Sequence, residues 1–515
     1  MKLSYKLGLI CLGAFLLRAA LLIFVKHPGI ADPNHYYNLG RQIIAGNGLE
    51  TDYLWHYYNP PDHITHPDDF WMPFAGVIAA GGMALFGTSV QAAILPFILL
   101  GSLLPLVSYA SARQIGLSET AGLISAAFTA VLPELVLNSL RTNTPIPSAL
   151  FLSTALLLLV HGLKHCHAWA LIGCGLLVGL AYLTRSEVML FFPILALILL
   201  FLSTSHINIT RAALYGLLIS GATLIVITPM LLRNVHETGS LTTPHLSRIF
   251  FMTDVRDFYS YGRDLNWQTL RENQTIPQMA AKRLFEMAAS VKMMLVALDV
   301  VLPVAVVGGL IMLFVRREKV RLLLLAPTLI LLVAFFLFYT ILAPYNNQGG
   351  AFKKSYLSLL SLLIPLGAYA IEQAIADSRV RFGAVALALA LMTANAVEMM
   401  RSDITFTNNY VSEMKKVVKV VNSLPDTNSD GEIVLMAQDQ FMLRFLGIRS
   451  VMIPMEDRDS VLEVANRYHV DYLMMPPARP SLDPLYDKDE TDPRFVYVCD
   501  VPGTVVEIYR FDEGK

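Results

Sequence analysis

Long apolar stretches, separated by short charged segments, fill most of the first 400 residues. A helix needs roughly 20 apolar residues to cross a bilayer, and about eleven stretches approach that length. This pattern predicts a mainly α, polytopic membrane helical bundle. The predicted spans are 7–25, 90–112, 120–138, 147–163, 168–184, 188–204, 212–232, 293–315, 322–343, 354–371 and 382–400.

The apolar segment 71–87 is short and rich in glycine, so we interpret it as an interfacial or re-entrant helix rather than a span. Leaving it out of the count puts the positively charged short loops on one side of the membrane. Such loops face the cytoplasm, which predicts an integral inner or plasma membrane protein with a cytoplasmic N-terminus. The charges concerned are Lys2, Lys6, Arg113, Lys164, Arg211, Arg316, Arg317, Lys319, Arg321, Arg379 and Arg381.

Three larger segments then lie outside the cytoplasm: the loop 26–89, the loop 233–292 and the tail 404–515. The first loop is predicted to hold juxtamembrane helices. In the tail, apolar runs give way to short alternating segments that predict a small extracytoplasmic α/β domain, separate from a transmembrane domain 1–403. Its predicted elements are helices 411–424 and 458–468, strands 432–437, 450–454 and 471–476, and a hairpin within 495–511.

Composition narrows the class of protein further. Of the 515 residues, 55% are hydrophobic and only 15% are charged, against about 25% charged in soluble domains. A soluble enzyme and a disordered chain are therefore excluded. The net charge of −1 gives no indication of a nucleic-acid partner. The four cysteines form no spacing typical of a disulfide framework or a metal site.

The first outer loop contains the most informative polar residues. Asp32 and Pro33 directly follow the first span, and the pair is typical of a helix start with Asp32 as N-cap. That structural role is compatible with catalysis, because a carboxylate at a helix N-terminus is held rigidly and kept ionised, as a general base requires. Further on, His63, His66, Asp68 and Asp69 contain metal-ligand types. Their spacing matches no metal signature, so we favour a solvated loop.

Several basic residues lie at the outer ends of predicted spans. Arg185 and Glu187 stand between two spans, and could form an interfacial ion pair or present a cation to a phosphate. Arg233 ends a span, as a flanking anchor often does. Lys353 and Lys354 lie at the outer start of a span, against the charge bias. They could bind an anion, or they could cap the helix dipole or contact lipid headgroups.

Two further sets of residues leave alternatives open. Arg18 and Asp299 lie inside spans, where a charge is costly, so each faces protein or water, or the two form an ion pair. The second outer loop carries aromatic residues that could stack on sugar rings, although a loop lying on the membrane surface shows the same composition. These are Phe250, Phe251, Phe258, Tyr259, Tyr261 and Trp267.

These pieces, in this order, resemble the GT-C superfamily of integral-membrane glycosyltransferases, which includes protein O-mannosyltransferases and the aminoarabinose transferase of lipid A. The resemblance covers about 7–400, and the tail in outline. The matching residues are Arg18; Asp32, Tyr36, Gly46 and Gly48; Trp71, Pro73 and Leu85–Gly87; 179–187; Pro229 to Asn234; and Lys353 and Lys354.

The resemblance implies transfer of a sugar, with inversion, from a polyprenyl-phosphate donor to a lipid, glycan or protein acceptor on the outer face. It implies Asp32 as general base and Arg185, Lys353, Lys354 and Arg233 as phosphate-binding residues. Other residues of these motifs and loops, namely Tyr36, Glu187, His66 and Asp69, are substrate-binding candidates.

Two departures from the family pattern argue against a metal cofactor. Asp32 is followed by Pro33 rather than by a second acid, and the loop beginning at Arg141 has no acid nearer than Glu134. We therefore expect no cofactor. The alternative function is a polytopic transporter or lipid flippase, which would share the span count and intramembrane charges. Such proteins often contain internal repeats, and we find none in the sequence.

Overall fold

The computed structural model describes residues 3–205, 208–243, 245–427, 431–486 and 492–512. Within them, the chain forms a helical bundle followed by an α/β region, which confirms the predicted fold class. The helices of the bundle and its outer loops are α1 Leu3–Leu22, α2 Asp32–Ala45, α3 Phe74–Phe86, α4 Val90–Gln114, α5 Glu119–Val131, α6 Pro133–Ser139, α7 Pro145–His165, α8 Ala168–Tyr182, α9 Phe191–Ser205, α10 Ile209–Thr238, α11 His245–Arg248, α12 Trp267–Asn273, α13 Ile276–Ala297, α14 Leu302–Val315, α15 Lys319–Leu337, α16 Ala351–Leu357, α17 Leu360–Ala374 and α18 Ser378–Val421.

Seven of the described helical segments are long and apolar enough to cross a membrane, and ten segments are if each bent pair counts as one span. The short α8, at 15 residues, corresponds to the remaining predicted span. Apolar side chains such as Leu217, Val304 and Phe382 are exposed on the bundle surface. Exposed apolar side chains of this kind are expected where a helix faces lipid rather than water.

The predicted span 293–315 is wrong as a continuous helix. The chain leaves α13 and enters α14 with a bend of 104°. Asp299 adopts a φ of 64°, outside the right-handed helical region. Pro303 then stands in the first turn of α14, where its missing N–H costs nothing. The first part of α13 lies in the predicted second outer loop, and its last residues share the apolar stretch with α14.

The predicted span 120–138 is also divided, into α5 and α6, with a bend of 51°. Pro133, the first residue of α6, has no N–H to continue the hydrogen bonding of α5. Arg18 from α1 donates a hydrogen bond to the carbonyl oxygen of Ala130 at 2.8 Å. The buried arginine thus satisfies a backbone acceptor beside the bend.

The first outer loop contains the expected juxtamembrane helices, α2 and α3. The segment 71–87 forms the 13-residue α3, as its length predicts. Gly82 makes close packing possible, because a Cβ built there would lie 2.2 Å from the carbonyl oxygen of Ala92 in α4. α2 ends at Ala45. The next residue, Gly46, has a φ of 89°, a left-handed backbone conformation that favours glycine.

The α/β region contains a five-stranded mixed sheet with the strand order β4-β3-β5-β7-β6. β3 is parallel to β4 and β5, whereas β7 is antiparallel to β5 and β6. The predicted strands, helix and hairpin are confirmed, and a short helix, α19, was missed. The elements are β3 Val434–Ala437, α19 Gln440–Phe445, β4 Arg449–Met452, α20 Arg458–Arg467, β5 Tyr472–Met474, α21 Asp483–Tyr486, β6 Phe495–Asp500 and β7 Glu507–Phe511; the first loop adds the two-residue strands β1 Glu50–Thr51 and β2 His66–Pro67.

The bundle and the α/β region are joined by one continuous helix. α18 runs through residues 403 and 404, where we place the domain boundary, and it includes most of the helix expected at 411–424. The first outer loop also reaches the sheet. The backbone of Leu54 accepts a hydrogen bond from Met452 at 2.7 Å and donates one to Ser450 at 3.0 Å. The division into two domains therefore stays a prediction.

Candidate functional site

Asp32 lies at the start of α2, and its carboxylate faces a lysine of α16, a helix from a distant part of the chain. Ala31 occupies the N-cap position with a φ of 58°, and Asp32 is the first helical residue. The expected N-cap role of Asp32 is therefore wrong by one position. Its carboxylate instead forms an ion pair with the ammonium group of Lys354 in α16.

The charges around Asp32 keep it ionised. Burial raises the pKa of its carboxyl group, but Lys354, and after it His35 and Arg185, lower that pKa more, and the result lies below the ordinary value. His35 stands three residues after Asp32, on the same face of α2. Asp32 is thus a carboxylate at neutral pH, the state that accepts a proton.

Arg185 is fixed by several partners at the junction of α8 and α9. Its guanidinium forms an ion pair with Glu187, and it donates to Thr144 Oγ1 at 3.2 Å and to the carbonyl oxygen of Ala351 at 3.2 Å. Ser355 Oγ donates to Glu187 at 2.6 Å. Glu187 and α16 together hold the planar guanidinium of Arg185. The ion pair that the sequence left open is therefore formed, and it fixes the position of the Arg185 cation.

A cavity of about 290 Å³ joins these groups. Its polar side is lined by Asp32, Tyr36, Arg185, Glu187 and Lys354. Burial raises the pKa of the Tyr36 phenol, which therefore stays protonated and can donate a hydrogen bond. Five of the nine sequence-derived candidates thus surround one space, although they come from widely separated parts of the chain.

Aromatic side chains form another part of the lining; the sequence analysis named Trp71, Phe258 and Tyr259 among them but missed Trp55 and Phe441. Trp55, Phe258 and Phe441 line the cavity together with Trp71. The rings of Trp55 and Trp71 stack at 4.4 Å with an interplanar angle of 8°. The aromatic run around Trp55 was a visible signal in the first loop. Phe441 had no such signal, because α19 is only six residues long.

Lys353 and Arg233 lie outside the lining of this cavity. Lys353, next to Lys354, forms an ion pair with the buried Glu134 at 2.5 Å. Arg233 donates to the carbonyl oxygens of Asp68 at 2.8 Å and Leu49 at 2.7 Å. These two cations therefore bind their partners away from the cavity, whereas Arg185 and Lys354 bind theirs in its lining.

His66 and Asp69 also lie outside the cavity lining; the interpretation of their segment as solvated is wrong for His66, Asp68 and Asp69, which are buried, whereas His63 is exposed. His66 is buried and donates from Nδ1 to the carbonyl oxygen of Ile64 at 2.7 Å. Asp69 pairs with His56 at 3.2 Å, and Asp68 with His35 at 3.3 Å. Among the described residues, no group of three His, Cys, Asp or Glu side chains could hold a metal ion. Metal independence stays a prediction.

The charged residues within the spans have separate partners. Arg18 is fully buried and donates to Ser139 Oγ at 3.0 Å, in addition to its bonds to backbone carbonyls. Asp299 accepts from Asn395 at 3.0 Å. Neither residue lines the cavity, and the ion pair between them that the sequence left open is not formed.

Comparisons with known proteins agree with this architecture. Residues 65–232 match the family described as dolichyl-phosphate-mannose-protein mannosyltransferase. The chain is similar to the structure of ArnT from Cupriavidus metallidurans bound to undecaprenyl phosphate, with a TM-score of 0.60 and 13% identity over 98% of each chain. It is also similar to the Archaeoglobus fulgidus oligosaccharyltransferase complex with Zn and sulfate, with a TM-score of 0.54 and 14% identity over 90% of this chain and 67% of that one. A search of the curated proteins finds no match.

The fold is that of the GT-C superfamily, as the sequence motifs predicted. The family match and the shared fold identify the chain as an integral-membrane glycosyltransferase, and the predicted enzyme class is confirmed. These comparisons favour a glycosyltransferase over the alternative of a transporter or flippase.

Proposed function

We propose that this glycosyltransferase moves a sugar from a polyprenyl-phosphate donor to an acceptor hydroxyl, with inversion at the anomeric carbon and with Asp32 as general base. The observation that carries the proposal is the single cavity lined by Asp32, Arg185 and Lys354. An ionised carboxylate and two cations are the groups that this reaction requires.

The reaction balances with these groups alone. The acceptor oxygen attacks the anomeric carbon as the bond from that carbon to the phosphate oxygen breaks. The acceptor proton passes to Asp32, and the phosphate keeps the bonding electron pair. Because phosphate is a good leaving group, no general acid is needed. A direct displacement from the face opposite the phosphate inverts the anomeric centre.

The cations would stabilise the departing phosphate. Arg185 offers a planar fork whose position is fixed by Glu187, and such forks match phosphate oxygens. Lys354 has three N–H donors, so its ion pair with Asp32 leaves donors for a phosphate oxygen. The lysine would thereby connect the base and the leaving group.

A lipid-linked donor is supported by the similar structures. The ArnT structure contains undecaprenyl phosphate, and an Archaeoglobus fulgidus oligosaccharyltransferase structure with a TM-score of 0.50 contains dolichol-phosphate. The bundle of this chain offers apolar helix surfaces for a polyprenyl tail. The positive-inside distribution of charge supports a donor reached from the outer leaflet, with the N-terminus in the cytoplasm.

The proposal is tested by replacing Asp32 with asparagine, which keeps the size of the side chain but cannot accept the proton. We expect Asp32→Asn to abolish sugar transfer from polyprenyl-phosphate donors while the protein still purifies as a folded monodisperse species. Asp62→Asn is the matched control, because it makes the same change at a highly exposed side chain of the same loop. Full activity of Asp32→Asn would remove Asp32 from the role of base.

A further inference from the structure

The α/β region contributes a wall of the cavity through one side chain. Phe441 is the only residue of the described tail among those that line the cavity. Its ring centroid lies 5.4 Å from that of Trp71 and 5.8 Å from that of Trp55. Although 9% exposed, the ring borders the open space, so it can contact a bound molecule.

The short helix that carries Phe441 is anchored to α2, the helix that begins with Asp32. The side-chain amide of Asn38 donates to the carbonyl oxygen of Phe441 at 3.1 Å, and Arg444 forms an ion pair with Asp52. The ring of Phe445 packs edge-on against Tyr37, with centroids 5.5 Å apart. These contacts fix the position of Phe441 relative to the base.

The cations and the aromatic residues of the cavity lining come from different parts of the chain. Arg185 and Lys354 come from the ends of apolar helices, where a lipid-linked phosphate would arrive with its tail still in the bilayer. Trp55, Phe258 and Phe441 come from outer loops and the tail. If the phosphate binds the cations, the aromatic residues are available to the other substrate.

The sheet edge that meets the first outer loop leaves no free backbone for an extended peptide at Leu54. Extended peptides commonly bind by adding a strand to an open sheet edge. Here the β4 edge is already occupied by Leu54, which exchanges two backbone hydrogen bonds with it. The cavity is lined beside this edge by rigid aromatic side chains, a residue type that suits the C–H face of a saccharide ring.

We propose that Phe441 determines acceptor specificity by forming the wall on which a saccharide ring of a glycan acceptor packs. The inference deepens the proposed function and rests on it. It makes the α/β region a direct part of the acceptor site, while residues at the helix ends of the bundle bind the donor phosphate. Phe441 makes no bond to the reacting atoms and changes only how the acceptor ring is held.

The test measures binding without turnover, so it does not depend on the identity of the donor sugar. The full-length protein is placed in lipid nanodiscs without sugar detergents. Its aromatic protons are saturated, and transfer to the ring protons of methyl glycosides is recorded by NMR. We expect transfer to at least one methyl hexoside or pentoside, and at least a tenfold weaker affinity in Phe441→Ala and Phe441→Leu. Phe441→Tyr should restore binding, because it retains the ring.

Phe406→Ala is the matched control, since Phe406 is a phenylalanine of the tail that is 65% exposed and does not line the cavity; it should bind the glycosides as the wild type does. Added undecaprenyl phosphate should leave the glycoside signal in place. Three results would overturn the proposal. The first is displacement of the glycosides by undecaprenyl phosphate, and the second is binding of a serine-containing peptide or a long-chain alcohol but of no glycoside. The third is an unchanged signal in both Phe441→Ala and Phe441→Leu. Failure of the proposed function is seen separately, as absence of any Asp32-dependent use of donor.

Discussion

At the scale of single residues, the partners of a charged side chain decide what it can do. Lys353 and Lys354 are adjacent in sequence and identical in chemistry, and their motif cannot separate them. In the fold they point to different acids. Lys354 meets Asp32 at the cavity, whereas Lys353 meets the buried Glu134 away from it. Neighbouring positions on a helix differ in direction by about 100°, which is why the two diverge.

This divergence predicts different outcomes for the same substitution. Lys354→Gln should lower kcat/KM for sugar transfer by about 100-fold or more, the usual effect of removing a group that stabilises developing charge. Lys353→Gln should leave kcat/KM of the folded protein near the wild-type value but lower its thermal stability, because Glu134 loses its cation in a buried position. Steady-state kinetics and thermal unfolding in nanodiscs measure both. Equal losses of activity would contradict the assignment.

At the scale of elements, close helix packing depends on glycines whose neighbours only the fold reveals. Gly308 and Gly309 are adjacent in α14. A Cβ built on Gly309 would lie 2.0 Å from the carbonyl oxygen of Leu366 in α17, whereas one on Gly308 meets nothing within 4 Å. Small residues that let helix backbones approach are typical of membrane bundles. The sequence showed the pair but not which member the crossing needs.

We therefore expect Gly309→Ala to destabilise the protein by about 1–3 kcal/mol, because α14 and α17 must separate to admit the methyl group. Gly308→Ala is the internal control and should be neutral or slightly stabilising, since alanine has the higher helix propensity. Thermal unfolding of both variants in the same nanodiscs provides the measurement. A Gly309→Ala variant as stable as the wild type would contradict the close approach of α14 to α17 at this position.

At the scale of the whole molecule, the charge bias and the positions of the cavity and the tail together predict how the protein is oriented in the membrane. The residues that line the cavity lie at the outer ends of helices and in outer loops, opposite the loops that carry Arg113, Lys164 and Arg316. The positive-inside rule then predicts that these loops face the cytoplasm and that the cavity lies outside. Orientation is thus a property of the summed sequence rather than of any one contact.

The native Cys166 allows this orientation to be measured. It is exposed beside Lys164, so a membrane-impermeant maleimide should label it in inside-out but not right-side-out vesicles, after Cys11, Cys174 and Cys499 are replaced by serine. Val505→Cys, at a tail position that is 90% exposed, should show the reverse in a variant lacking Cys166 as well. The same labelling side for both would contradict the topology.

The amino-acid sequence by itself determined the class of fold, most helix positions and the strands of the tail, because burial in lipid or in a sheet imposes a periodicity on neighbouring residues. It also supplied Asp32, Tyr36, Arg185, Glu187 and Lys354. Tertiary structure alone decided which of the candidate cations face the cavity, that Asp68 and Asp69 are buried with histidines, and that Phe441 reaches the site. Those outcomes depend on contacts between residues that are separated along the chain, by 13 positions for His56 and Asp69 and by 322 for Asp32 and Lys354, and such contacts give no signal in the local pattern.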